Sequence, residues 1–194
     1  MDPQSERQIH SIGIVVPFFN EEKVIQEFYK SLTTAISNLP YQFFLYFIDD
    51  GSSDRTAALL EEIAGGDDRV TIIEFSRNFG HQAALSAGLD AARGDAVISL
   101  DGDGQHPPEM IPELIRLYAS NDEYDIIQTK REPGNETAVK RATSGFFYSL
   151  MNRFSNVKMI EGTADFRLMS RRSVDSLKQM PEYHRFLRGM IPWM

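Results

Sequence analysis

The residues with the clearest capacity for chemistry are acidic and fall in two short clusters. These are Asp49-Asp50-Gly51-Ser52-Ser53-Asp54 and Asp101-Gly102-Asp103-Gly104-Gln105-His106. Asp101 and Asp103, two residues apart in an extended turn, can both face one hard cation. Magnesium and manganese favour few protein carboxylates, with water and phosphate oxygens completing the shell. The pair therefore suits a metal-bound diphosphate. Read by spacing alone, it is equally an Asp-Gly turn that ends a strand. An EF-hand fits poorly, because its loop needs Gly at the sixth position and His106 stands there. Phosphatases with an aspartyl nucleophile carry an Asp-x-Asp-Gly turn after their first strand, whereas this turn follows the fourth. Asp49 and Asp50 can accept hydrogen bonds from a base edge or ribose hydroxyls, and one of them can instead form an Asx turn that caps the next helix. Arg77 can reach a base or a phosphate, or form a surface ion pair of little worth. Pro107 and Pro108 suit the first turn of a helix. In its local context Asp165 reads as a strand-entry residue.

The elements that position these groups follow from hydrophobic periodicity. Strands are expected at Ile12–Phe18, Phe43–Ile48, Val70–Phe75, Ala96–Leu100 and Asp125–Thr129. Between them, helices are expected over Asn20–Asn38 with Asn20 as cap, Asp54–Ala64 with Ser53 as cap, His81–Ala92, and Pro107–Ser120. This alternation indicates an α/β fold with a mostly parallel central sheet flanked by helices. Ligands of such sheets bind beyond the carboxyl ends of the strands, and the polar clusters fall at those ends. After residue 130 the pattern changes to a charged loop over 131–136 and a long helix over Thr137–Phe154. A strand over Phe166–Ser170 and a helix over Arg172–Met180 follow. Phe146, Phe147, Leu150, Met151 and Phe154 make an apolar stripe on the long helix, compatible with core, a subunit contact or a membrane surface.

Composition narrows the classes. The chain has 194 residues, 42% hydrophobic and 25% charged, which suits one globular domain over 1–194. With no cysteine, disulfides, thiolate metal sites and a cysteine nucleophile are excluded. A net charge of −8 argues against a nucleic-acid binder but leaves room for a local phosphate site. No signal peptide or membrane-spanning run is present, so the expectation is a soluble, cytoplasmic protein. The chain stops among apolar residues, which suggests a piece of a longer protein.

Taken together, several ordered segments resemble glycosyltransferase family 2, which has the GT-A fold. They are Val16-Pro17-Phe18-Phe19-Asn20-Glu21, Asp49 to Asp54, Arg77-Asn78-Phe79-Gly80, Asp101 to Pro108, Gly162 to Met169, and Arg185-Phe186-Leu187-Arg188-Gly189. The Gln105-His106-Pro107-Pro108 extension and the Thr163-Ala164-Asp165-Phe166-Arg167 segment resemble the branch that glycosylates polyprenyl phosphates, such as dolichyl-phosphate mannosyltransferase and the undecaprenyl-phosphate glucosyl- and aminoarabinosyl-transferases. The resemblance implies an inverting hexosyltransferase that moves a sugar from a nucleotide-sugar, preferably a UDP-sugar, to polyprenyl phosphate at the inner face of the cell membrane.

It also implies roles. Pro17, Phe19 and Glu21 would border the nucleotide pocket, with Asp49, Asp50 and Arg77 at the base and ribose. Asp103 would ligate Mg2+ or Mn2+, with Asp101 on the sugar or ribose and sharing the metal. Gln105 would lie beside the metal, Asp165 near the reacting centre, and Arg185 and Arg188 on the diphosphate. Arg131, Lys140, Arg141 and Ser144 are placed by sequence to meet an acceptor phosphate, or else form a solvated helix face. A hydroxyl acceptor would need a general base, and Asp165 is the candidate. The membrane helices common after this region in the branch are absent here. Two rivals remain: a family 2 enzyme acting on a polysaccharide or other hydroxyl, and a nucleotide-sugar binding module without turnover. The sequence leaves the oligomeric state open and allows a homo-oligomer.

Overall fold

The computed structural model describes residues 7–130, 163–182 and 185–194. The expected loop over 131–136, the long helix with its apolar stripe, and Arg131, Lys140, Arg141 and Ser144 lie outside the described residues.

A six-stranded sheet forms the centre, in the order β3-β2-β1-β4-β6-β5. Its first four strands are β1 (Ser11–Phe18), β2 (Gln42–Asp49), β3 (Val70–Glu74) and β4 (Ala96–Ser99), all parallel. β1, β2 and β4 are largely apolar runs because both faces are covered, whereas the edge strand β3 is only partly buried. Ile12, Ile14, Val16 and Phe18 point to one face, against α1 (Ile25–Ile36), α2 (Thr56–Gly66) and α4 (Ile111–Ala119). Val15 points to the other, against α3 (His81–Ala91), α5 (Arg171–Gln179) and α6 (Leu187–Trp193). Among the described residues no helix is long and apolar enough to cross a membrane.

The last two strands depart from the parallel pattern. β5 (Ile126–Lys130) does not neighbour β4; β6 (Thr163–Ser170) inserts between them, antiparallel to both. Ala96 faces Ser170 and Ser99 faces Arg167. Continued by two residues, that register sets Asp165 across from Asp101. Ser99 Oγ secures the crossing by donating to the Asp165 carbonyl at 2.7 Å.

Three helix starts differ from the expected ones; α4 begins at Ile111, after a 3-10 turn over Pro108–Met110. Asn20 does not cap α1, which begins at Ile25. Asn20 takes a left-handed backbone (φ 57°) and its Oδ1 accepts from Ser53 N–H at 2.8 Å, stitching the loop after β1 to the loop after β2. At α2 the side chain that bonds the first turn is Asp54, through Thr56 N–H at 2.9 Å, and not Ser53. Long-range pairing engages Asn20 with Ser53, and the first turn of α2 is left to the neighbouring Asp54.

Asp67 ties this half of the molecule together. It accepts from Tyr29 Oη on α1 at 2.8 Å and from Arg69 Nη2 at 2.7 Å. The Arg69 hydrogen bond, working against burial, holds its pKa at about 2. An unfolded Asp titrates near ~3.9. This carboxylate therefore contributes stability that is complete above pH ~4 and lost as pH falls through about 2. Asp67→Asn should cost at most about 2 kcal/mol near neutral pH. Urea unfolding of both proteins from pH 7 downward should show the difference shrinking with acid; a difference that stays constant contradicts the assignment.

Candidate active site

The loops that follow β1, β2, β3 and β4 meet at the carboxyl edge of the sheet around a cavity of about 410 Å3. Pro17, Phe19, Glu21, Asp50, Asp101 and Asp103 all line it. Three widely separated segments thus bring together most of the residues expected at a donor site.

Each acidic group is held differently. Asp49 is buried and accepts from the Ser52 hydroxyl and, at 3.3 Å, from Ser52 N–H. It forms the Asx turn and lies beneath the cavity rather than in its wall. Asp50 accepts from Phe79 N–H at 2.7 Å and Gly80 N–H at 2.9 Å, at the start of α3. Its charge sits at the positive end of a helix, a favourable place for a carboxylate. Gly51, with φ 67°, lets the Arg77 backbone close over this turn; a Cβ there would stand 2.3 Å from the Arg77 carbonyl carbon. Arg77 does not line the cavity. Its guanidinium stacks 4.5 Å over the exposed Phe79 ring.

The turn after β4 rests on an aromatic ring. Gly102 is buried, and a Cβ there would approach Phe18 to 2.3 Å. Only a residue without a side chain lets the flanking Asp101 and Asp103 settle this close to the sheet. Asp103 Oδ1 accepts from Gln105 N–H at 2.9 Å, so Gln105 shapes the turn through its backbone. His106 is buried against Phe166, and its Nδ1 accepts from Asp101 N–H at 3.2 Å. An Asp101 carboxylate oxygen lies 3.3 Å from the same nitrogen.

Charge is unevenly compensated across the site. Burial works against the Asp101 charge, yet the hydrogen bond from His81 Nε2 at 2.7 Å outweighs it and holds the carboxyl below its ordinary range. Glu21 shows the opposite: burial, then the negative charges of Asp103 and Asp54, push its pKa up. Like charges raise a carboxyl pKa when nothing neutralises them. The Glu21 and Asp103 side of the cavity is therefore where a cation would relieve repulsion, and the oxygen-rich donor set suits Mg2+ or Mn2+.

Asp165 has no solvent exposure and lies on the far side of His81. Arg167 Nη2 donates to its Oδ1, and Arg188 donates to Oδ2 from Nε at 3.0 Å and Nη2 at 2.6 Å. His81, Asp101 and Asp165 offer ligand atoms within 4.8 Å of one another. An ion placed there would face guanidinium groups already neutralising Asp165. Arg185 does not join Arg188. It pairs with Asp90 on α3 at 2.7 Å and lines a neighbouring groove of about 790 Å3. His81 had no role in the sequence reading; its position immediately after the Arg77-Asn78-Phe79-Gly80 segment, at a strand's carboxyl end, was the available signal.

The model of glycosyl transferase family 2 matches residues 13–178. The chain is 42% identical over 184 residues to the bactoprenol glucosyl transferase of Shigella phage SfV, covering 94% of this chain and 59% of the relative. It is 41% identical over 185 residues to the uncharacterized glycosyltransferase YkcC of Bacillus subtilis (strain 168), covering 94% and 56%. The chain therefore spans little more than half the length of these relatives. Among solved structures it is similar to a mannosyltransferase from Pyrobaculum calidifontis in complex with GDP-Man and Mn2+ (TM-score 0.61, 19% identity, 92% of this chain and 49% of that one). It is also similar to S. aureus TarS 1–349 (TM-score 0.62, 18% identity, 94% and 55%). These likenesses carry the GT-A fold.

The Gly51 arrangement yields a test. Gly51→Ala should force the Arg77–Gly80 segment off Asp50 at a cost of about 2 kcal/mol, from left-handed strain plus overpacking. For a chain of this size that lowers the melting temperature by roughly 4–8 °C. An unchanged melting curve contradicts the close packing described here.

Proposed function

The chain belongs to glycosyl transferase family 2, and we propose that it transfers a sugar from a nucleotide-sugar, preferably a UDP-sugar, to polyprenyl phosphate at the inner face of the cell membrane. The donor's diphosphate would lie in the cavity edged by Asp101, Asp103 and Glu21, with its nucleoside toward Pro17, Phe19 and Asp50. Asp103 and Asp101 would hold Mg2+ or Mn2+, with Gln105 alongside. When bound, the ion supplies positive charge to the departing nucleoside diphosphate. Manganese in the Pyrobaculum mannosyltransferase complex and the bactoprenol named for the phage relatives support this reading.

One observation carries the acceptor class. Asp165 is the carboxylate expected to act as base for a hydroxyl acceptor, yet it is fully buried and both oxygens accept from guanidinium groups. It is not placed to take a proton. A lipid phosphate needs no deprotonation, because it reaches the site as an anion and requires only positioning. An acceptor oxygen would bond to the anomeric carbon as the bond to the diphosphate breaks, the diphosphate keeping the electron pair and the anomeric configuration inverting. Asp165 would serve instead as the anchor that orients Arg188. Arg131, Lys140, Arg141 and Ser144 remain the proposed acceptor-phosphate contacts.

The test is transfer of labelled sugar from UDP-glucose to undecaprenyl phosphate in detergent with Mn2+. Wild type should label the lipid, and Asp103→Ala should lower the rate roughly 10²–10³-fold, the scale for losing one electrostatic element of a reaction centre, without a matching loss of melting temperature. Label appearing only on a glycan acceptor, or a rate indifferent to Asp103, rejects the proposal.

A further inference from the structure

His81 carries none of the roles assigned above, yet it stands where the site's two halves meet. It is the first residue of α3 and lines both the cavity and the neighbouring groove. The turn before it is fixed, because Asp50 holds the Phe79 and Gly80 N–H groups. Its Nε2 donates to Asp101 Oδ1 at 2.7 Å. Its Nδ1 lies 3.3 Å from Gln82 Nε2 and 3.9 Å from Asp165 Oδ2. Gln82 is anchored in turn, its Oε1 accepting from Leu187 N–H at 3.0 Å. The imidazole is therefore held along both edges.

The arrangement decides between ligand and support. Nε2 is already committed to Asp101. On the Nδ1 side an ion would meet Asp165, whose oxygens carry Arg167 and Arg188, so cation would face cation. What remains is the effect of the Nε2 bond on Asp101. His81 holds Asp101 Oδ1 while Oδ2 lies 3.3 Å from His106 Nδ1, so the direction of the carboxylate is set, as in the hydrogen-bonded carboxylates of metal sites. We infer that His81 is a positioning residue: it turns the Asp101 carboxylate toward the cavity shared with Asp103 and does not itself bind the ion. The inference rests on the proposed metal seat and deepens it, by assigning the group that orients one of its ligands.

The experiment titrates Mn2+, alone and with UDP, into the chain and into His81→Ala and His81→Gln, and records unliganded melting temperatures. Glutamine keeps an N–H that can reach Asp101 but lacks the imidazole nitrogen a metal would use. His81→Ala should weaken Mn2+ binding roughly 10- to 100-fold, the usual cost of losing an outer partner of a metal ligand. His81→Gln should recover most of that loss, with melting temperatures close to wild type. The inference is overturned if alanine binds Mn2+ within twofold of wild type, if glutamine is as impaired as alanine, or if only the melting temperature falls. Sugar transfer by wild type is run alongside. Its absence while Mn2+ binding follows the expected order counts against the proposed acceptor and leaves the His81 assignment standing.

Discussion

The structure depends on how a crowd of carboxylates is accommodated at one edge of the sheet. Glu21, Asp49, Asp50, Asp101, Asp103 and Asp165 gather there because β1, β2 and β4 end at the edge where antiparallel β6 begins. Left together they would repel. Most are compensated from within the chain: Asp49 by Ser52, Asp50 by the first N–H groups of α3, Asp101 by His81, and Asp165 by two arginines. Glu21 differs: burial first, and then the negative charges of Asp103 and Asp54, raise its pKa. Of the acids that line the cavity, Asp50 and Asp101 are thus held by donors from α3, whereas Glu21 keeps a raised pKa.

This view also explains the division of labour among the arginines. Arg167 and Arg188 are spent on Asp165, and Arg185 on Asp90. The half-exposed Arg188 head stays near the cavity because Asp165 fixes it there. Burying a carboxylate to aim a guanidinium is costly unless the pair is well bonded, and here the bidentate contact meets that condition.

Much of this was legible in the sequence where local signals are strong. The apolar runs of β1 to β4 have no competing helical period, so strand positions and the parallel core follow directly. The clusters at strand ends then converge by the general geometry of parallel sheets. What was not legible depends on distant partners. Asn20 looked like a helix cap, but its side chain is drawn across to Ser53. Asp165 looked like a strand-entry residue, and only the antiparallel insertion of β6 beside β4 brings it opposite Asp101. His81 offered one imidazole at the head of an Ala-rich helix, and its meaning appears only with Asp101 and Asp165 on either side. Arg185 and Arg188 look interchangeable in sequence, three residues apart, yet they face different partners.

The proposed seat of the divalent cation is between Asp101 and Asp103, which both line the cavity. Diffraction from crystals grown with UDP and Mn2+, recorded at the manganese absorption edge, locates the ion directly. The account predicts one anomalous peak bridged by oxygens of Asp101 or Asp103 and of the diphosphate, with His81 still bonded to Asp101. A peak held by His81 and Asp165, or nucleotide bound with no manganese beside Asp103, would contradict it.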